Sequence, residues 1–171
     1  TATVTVLALI GTGSKYETKK INGLSHFLEH MFFKGTKSRP SAQEVTEPID
    51  AVGGTFNAFT TEDQTGYFIK TDAKHVNLNL DIVSDIFLNS KLDQVEIDKE
   101  RGVVIQEINM NFDNPMRHIG DVYEELVYGD QPLGWDIAGP KENILRIEAE
   151  KFREYFGTHY FAKNTIVSIS G

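Results

Sequence analysis

The stretch that organises the chain is residues 24–33, which read LSHFLEHMFF. Successive residues of an α-helix turn by about 100°, so side chains three or four positions apart share a face. The large apolar side chains recur at this spacing and form one stripe, made of Leu24, Phe27, Leu28, Met31 and Phe32. This pattern predicts an amphipathic helix from about Gly23 to Phe33, ending near Gly35, whose apolar face lies in the core.

The opposite face of this helix carries the polar side chains. His26 and His30 are four residues apart, so both imidazoles can reach one metal ion. Glu29 lies beside both of them, and the order His-x-x-Glu-His reverses the H-E-x-x-H zinc signature. Because Phe33 shares this face, we expect it to be buried as well. The alternative is an ordinary solvated polar face.

These residue types suit zinc in particular. Two imidazoles and one carboxylate can hold the ion while a fourth position stays open for water. Zinc makes such a water acidic enough to ionise near neutral pH, and a neighbouring carboxylate can remove its proton. We therefore predict one Zn²⁺ ion per chain, with Glu29 as the base and not as a ligand.

Composition excludes several other kinds of site. The chain has 171 residues, a net charge of −8 and a pI of about 5.1. This acidic balance argues against a general nucleic-acid binder and weakly favours basic partners. There is no cysteine, so disulfides and thiolate metal sites are excluded. No apolar run reaches the length of a membrane span.

Strand and helix signals divide the rest of the chain. Strand patterns occupy residues 1–10, 55–61, 65–71 and 165–170, and helical patterns occupy residues 41–52, 73–88, 93–110, 115–128 and 147–156. Capping boxes are predicted at Ser41 with Glu44 and at Asp93 with Glu96. The second and third strands form a hairpin. We therefore expect an α+β fold in which helices pack on an antiparallel sheet.

The helix at residues 93–110 offers three candidates for a third metal ligand. Glu100 and Glu107 are two turns apart and share a face, which Glu96 joins. Two valines lie on the same face, which suggests partial burial, and buried carboxylates need a cation or hydrogen-bond donors. Spacing alone does not choose among the three glutamates, and a solvated acidic face is the alternative.

The sequence resembles the pitrilysin-type (M16) metallopeptidases, the inverzincins. The resemblance is carried by HFLEHMFFKGT at residues 26–36 and by later matches in the same order, which are Gly53-Gly54, Asn57-Ala58, the Glu100–Glu107 segment, Pro132-Leu133-Gly134 and Tyr160–Asn164. It covers nearly the whole chain. The sequence looks most like the branch that holds mitochondrial processing peptidase and its bacterial relatives.

The resemblance implies a role for each site residue. By position, His26, His30 and Glu107 would bind zinc, and Glu29 would be the catalytic base. Glu100 would hold a ligand histidine in its orientation.

The resemblance also gives the predicted hairpin a function. In the family, a strand that matches residues 56–60 is an exposed edge beside the metal, and an extended peptide adds to it by backbone hydrogen bonds. This implies that Asn57, Ala58 and Phe59 bind the substrate. From the residues alone, a plain core sheet is the more ordinary interpretation of the hairpin.

The resemblance as a whole implies a zinc-dependent endopeptidase. Resembling enzymes have two homologous halves, each longer than this chain, that close around the substrate. We therefore expect residues 1–171 to be one zinc-bearing domain, the truncated N-terminal portion of such a half, which needs a second half or an oligomeric partner.

The resemblance implies the cytoplasm for a bacterial protein or the mitochondrial matrix for a eukaryotic one. The alternatives are a non-catalytic binding or scaffold subunit, an inactive isolated subdomain, and a hydrolase of a non-peptide substrate.

Overall fold

The computed structural model describes residues 2–171 and has a four-stranded antiparallel sheet at its centre. The strands are β1 (Thr3–Ile10), β2 (Thr55–Thr60), β3 (Thr65–Asp72) and β4 (Thr165–Ser170). They lie in the order β2-β3-β1-β4, with β1 paired to both β3 and β4. The side chains of β1 alternate between buried and partly buried, so one face of the sheet lies in the core.

Seven α-helices accompany the sheet within the described residues. They are α1 (Leu24–Met31), α2 (Ala42–Asp50), α3 (Val76–Asn89), α4 (Gln94–Phe112), α5 (Pro115–Tyr128), α6 (Lys141–Ile144) and α7 (Ala149–His159). A short 3₁₀ turn, Phe32–Lys34, continues α1. None of the helices found between residues 2 and 171 combines the length and the apolar character that a membrane crossing needs.

The apolar stripe of α1 lies in the core, as its spacing predicts. Leu24, Phe27 and Leu28 are fully buried. Phe27 packs edge-on against Phe152 of α7, with ring centroids 4.9 Å apart. Phe32, in the turn after α1, stacks on Tyr67 of β3 at 4.4 Å. Since each fully buried side chain of this size contributes about 1.5–3 kcal/mol, these contacts fix α1 between the sheet and α7.

The element types follow the predictions closely, and the differences are local. The first strand begins at Thr3, while Thr1 lies outside the described residues. The last predicted helix is displaced and covers Ala149–His159, and the one-turn helix α6 was not predicted. Four residues are too few to show a helical period, so no pattern marks α6.

One of the two predicted capping boxes is present. Ser41 accepts a hydrogen bond from the Glu44 N–H, and the Glu44 carboxylate accepts one from the Ser41 N–H. Asp93 caps α4 through the Val95 N–H instead. Glu96 binds Lys99 at 2.7 Å, so the capping box predicted at Asp93 was wrong. A nearby lysine one turn away competes successfully for the glutamate.

The hairpin formed by β2 and β3 ends the sheet on one side. Thr60 pairs with Thr65 at its end, and the hydroxyl of Thr61 accepts hydrogen bonds from N–H groups within the turn. Within residues 2–171, β2 has β3 on one side only, so it is an edge strand there. β3 lies inside the sheet and is mostly buried, so the hairpin belongs to the central sheet and only β2 lies at its edge.

Candidate metal centre

Two helices bring three possible metal ligands together. α1 presents His26 and His30 away from its core face, and α4 places Glu107 beside them. The Nε2 atoms of the two histidines are 3.3 Å apart. Oε2 of Glu107 lies 3.3 Å from Nε2 of His30 and 3.6 Å from Nε2 of His26. Each residue therefore offers one donor atom to a common point.

These separations fit a tetrahedral zinc site. Zinc bonds to nitrogen and oxygen donors are about 2.0–2.2 Å long, so two donors in a tetrahedral shell lie about 3.3–3.6 Å apart. All three distances between the donor atoms fall in this range. The side chains of His26 and His30 are only 13% and 17% exposed, so this face of α1 is largely buried, as the sequence predicts. The donor set and its spacing therefore suit the ion.

The two histidines have opposite electrostatic environments. Burial, together with the nearby His30, lowers the pKa of His26 to about 4. Burial would also lower the pKa of His30, but hydrogen bonds to Glu100 and Glu107 outweigh it and raise that pKa to about 9. The hydrogen bond with His30 in turn lowers the pKa of Glu107. The carboxylates thus create a position that favours positive charge.

The two histidines also differ at their second ring nitrogen. Nδ1 of His30 donates to Oε1 of Glu100 at 3.0 Å. Nδ1 of His26 is buried and has no hydrogen-bond partner within residues 2–171. A hydrogen bond at this nitrogen fixes the tautomer and the ring orientation of a ligand histidine. His30 is therefore the better oriented of the two.

Glu29 lies beside this cluster and is held separately. The Thr60 hydroxyl of β2 donates to Oε2 of Glu29 at 2.6 Å. Burial raises the pKa of Glu29, although the hydrogen bond from Thr60 opposes that rise. A carboxylate with a raised pKa and one anchored oxygen is suited to accept a proton near neutral pH. Glu29 does not belong to the three-residue donor cluster.

The three glutamates of α4 occupy three different environments. Glu107 reaches the histidines, and Glu100 lies behind His30 with a side chain only 8% exposed. Glu96 pairs with Lys99, away from the site. Lys34, which sequence reasoning missed, contacts Oε2 of Glu100 at 2.6 Å. The only sequence signal for Lys34 was its position about one turn after His30, the second histidine of α1.

The edge strand β2 borders the site. A groove of about 200 Å³ lies beside Glu29 and is lined by Phe33, Asn57 and Ala58, among others. The Ala58 N–H donates to Oδ1 of Asn57 at 2.9 Å. Phe59 does not line this groove. Its ring packs on Gly66 of β3, so closely that a side chain at position 66 would clash with it.

The N-terminus of α1 is held by contacts that local sequence patterns did not reveal. The buried carboxylate of Glu17 accepts hydrogen bonds from the N–H groups of Gly23 and Ser25. Gly23 has φ +99°, and a side chain there would meet the carbonyl of Ala138. The buried Ser25 hydroxyl bonds the Tyr155 hydroxyl at 2.8 Å. These contacts fix the start of the helix that carries both histidines.

Comparison with known proteins identifies relatives of this chain. Residues 1–141 match the family described as Insulinase (Peptidase family M16). The chain is 41% identical over 162 residues to a Bacillus subtilis protein named "Uncharacterized zinc protease YmxG", which covers 95% of the chain and 39% of that protein. It is 38% identical over 170 residues to the beta subunit of the mitochondrial-processing peptidase of Bos taurus. That alignment covers 99% of the chain and 34% of the bovine protein.

Two solved structures have a closely similar fold. A protease from Helicobacter pylori superposes with a TM-score of 0.93 at 28% identity, over 100% of this chain and 41% of that one. The first half of the periplasmic protease PqqL from Escherichia coli superposes with a TM-score of 0.89 at 23% identity, over 98% of this chain and 37% of that one. The chain spans 34–40% of the length of the first four curated relatives.

Proposed function

The chain belongs to the insulinase family of peptidases, family M16, and we propose that it is the zinc-binding part of a zinc-dependent endopeptidase. The observation that carries the proposal is the set of donor atoms from His26, His30 and Glu107, which lie 3.3–3.6 Å apart. Relatives named as zinc proteases and as a processing peptidase support the same assignment.

His26, His30 and Glu107 would hold one zinc ion per chain. When bound, zinc supplies Lewis acidity, which polarises a water molecule and a peptide carbonyl. Glu100 would hold His30 in orientation through its hydrogen bond to Nδ1.

Glu29 would move the proton in the reaction. It would take a proton from the attacking water and give it to the leaving nitrogen of the cleaved peptide bond. Thr60 holds one carboxylate oxygen of Glu29, so the other oxygen is available for this transfer. The burial that raises the pKa of Glu29 makes it a stronger base than an exposed glutamate.

The substrate would be a peptide in an extended conformation. β2 is a sheet edge, and an edge strand can accept another strand through backbone hydrogen bonds. Asn57 and Ala58 lie at this edge beside Glu29, so we assign them to peptide binding. A role for Phe59 in peptide binding stays a prediction, since its ring packs on Gly66 of β3.

The active protein would contain more than this domain. Residues 1–171 would form the N-terminal portion of one M16-type half, because the similar Escherichia coli structure is the first half of a longer protease. A second half, or a homo- or hetero-oligomeric partner, would close over the peptide. A non-catalytic scaffold subunit is the second candidate, and the presence of all four motif residues, His26, Glu29, His30 and Glu107, favours the enzyme.

The substitution Glu29→Gln tests the assignment of the base. We expect it to leave zinc content unchanged, since Glu29 is outside the donor cluster, and to reduce peptide cleavage by about 10²- to 10⁴-fold. Zinc would be measured by elemental analysis, and cleavage with a mixed peptide library with and without chelator.

Glu47→Gln is the matched control, because Glu47 is an exposed glutamate on α2. Cleavage by Glu29→Gln at the parental rate would remove Glu29 from the mechanism. A parental chain that binds zinc but cleaves no member of the library would favour a non-catalytic subunit or an inactive isolated domain.

A further inference from the structure

We propose that Lys34 is a positioning residue of the metal centre, which increases zinc affinity by holding Glu100 against His30. The inference rests on the proposed function, because it assumes that zinc binds at His26, His30 and Glu107. Lys34 is not one of the three donor residues, and it lines the groove beside Glu29 together with Asn57 and Ala58.

The three side chains form a continuous chain of contacts. Nζ of Lys34 lies 2.6 Å from Oε2 of Glu100, and the other carboxylate oxygen, Oε1, accepts a hydrogen bond from Nδ1 of His30 at 3.0 Å. Each oxygen of Glu100 therefore has its own partner. A carboxylate held at both oxygens cannot rotate about its last bond without breaking one contact, so Lys34 fixes the direction in which Oε1 points.

Burial explains why Glu100 needs a cationic partner. Its side chain is only 8% exposed, and a buried carboxylate without compensation is costly. A histidine that binds zinc must be neutral, and Lys34 then remains as the positive charge beside this carboxylate.

The backbone places Lys34 where it can make this contact. Lys34 ends the 3₁₀ turn that continues α1, and its ammonium reaches the same Glu100 carboxylate that His30 contacts. The chain turns away immediately afterwards at Gly35, whose φ of +131° and close approach to Pro40 admit no side chain. The 3₁₀ turn at the end of α1 thus holds Lys34 near Glu100.

A simple electrostatic argument predicts the opposite effect on affinity. A lysine near a divalent cation repels it, so loss of the charge would tighten zinc binding if Lys34 acted only through its field. The positioning role predicts weaker binding. The sign of the change therefore separates the two effects.

The test is the zinc affinity of Lys34→Met, measured on the 171-residue chain by competition with a chelating dye. We expect affinity to fall, at most by the about 10- to 100-fold that loss of a ligand's own hydrogen-bond partner usually causes, because Lys34 acts through Glu100. Lys34→Arg, which can still pair with Glu100, should keep most of the affinity. Lys37→Met is the matched control, since Lys37 is an exposed lysine three residues along and loses the same charge.

A double-mutant cycle tests whether Lys34 acts through Glu100. Glu100→Gln alone should weaken zinc binding, and Lys34→Met added to it should weaken binding little further, because the contact is already lost. Circular dichroism and the thermal unfolding midpoint of the zinc-free proteins check that each variant is folded. Lys34→Gln provides a second variant if Lys34→Met does not fold.

Unchanged or tighter zinc binding in Lys34→Met, or additive effects in the cycle, would overturn the inference. These results would leave the proposed function intact, provided that the parental chain binds zinc through His26, His30 and Glu107. A parental chain that binds no zinc would instead overturn the proposed function itself.

Discussion

α4 carries three glutamates, and the position of each along the helix decides which neighbours it meets. Glu107 meets two imidazoles, Glu100 is enclosed behind His30, and Glu96 pairs with Lys99 on the surface of the helix. The carboxylates are chemically identical. Their neighbours set the contacts that each one makes.

Glu107→Ala is expected to abolish stoichiometric zinc binding, because two histidines alone hold the ion poorly. Elemental analysis after dialysis would measure the zinc content. Glu96→Ala is the matched control on the same helix and should keep the metal, since Glu96 lies outside the donor cluster. Equal zinc content in both variants would exclude Glu107 as a ligand.

At the scale of elements, the loop after α1 is tied to α3 mainly through the buried carboxylate of Asp85. Asp85 of α3 accepts hydrogen bonds from Thr36 and Arg39, both at 2.6 Å, and from Asn89 at 2.9 Å. Burial alone would raise the pKa of Asp85, but these hydrogen bonds lower it below its ordinary value. The ionised form therefore stabilises the folded state.

The sign of this shift predicts a pH dependence for Asp85→Asn. Since the pKa is lower in the folded state, the stabilisation is complete above the ordinary pKa of about 3.9 and is lost as the pH falls through the lower, folded value. Urea unfolding should show Asp85→Asn to be less stable by about 1–3 kcal/mol at pH 7. The difference between parent and variant should shrink below about pH 4.

Asp81→Asn is the control for this prediction. Asp81 contacts the same Arg39, but its side chain is 63% exposed, so the loss should be about 0–1 kcal/mol. A gap between Asp85→Asn and the parent that stays constant from pH 7 to pH 3 would contradict the assignment.

At the scale of the whole molecule, the surface is unevenly apolar. α5 contains no buried residue, and one side of it exposes Met116, Ile119, Tyr123 and Leu126. The edge strand β4 exposes Ile166, Val167 and Ile169. Exposed apolar patches of this kind mark interaction surfaces in soluble proteins. They agree with the expectation that a second half or an oligomeric partner completes the protein.

Metal binding should stabilise the whole domain. The proposed ligands come from α1 and α4, which are distant in sequence, so a bound ion would link them in the folded state only. At free zinc 100-fold above its Kd, the free energy of unfolding should rise by about 2.7 kcal/mol. Thermal unfolding with zinc, and then with excess chelator, would measure the gain and its reversal.

Glu107→Ala provides the control for this stabilisation, because it should unfold at the same temperature with and without zinc. An equal gain in the parent and in Glu107→Ala would show that zinc stabilises the protein from another position.

The sequence by itself determined the local elements. The stripe on α1, the capping box at Ser41 and the hairpin all depend on residues a few positions apart, where helix and strand geometry fixes which side chains are neighbours. The paired histidines belong to this class. For Glu107, spacing left three candidates, and the family resemblance chose among them by position.

Only the tertiary structure decided what distant elements do together. It made β2 an edge strand, placed Glu107 within 3.6 Å of both histidines and set Lys34 against Glu100. It also left α5 without a buried residue. The physical reason is that these contacts join elements many residues apart, whose relative positions are set by packing around the whole core and not by any local period.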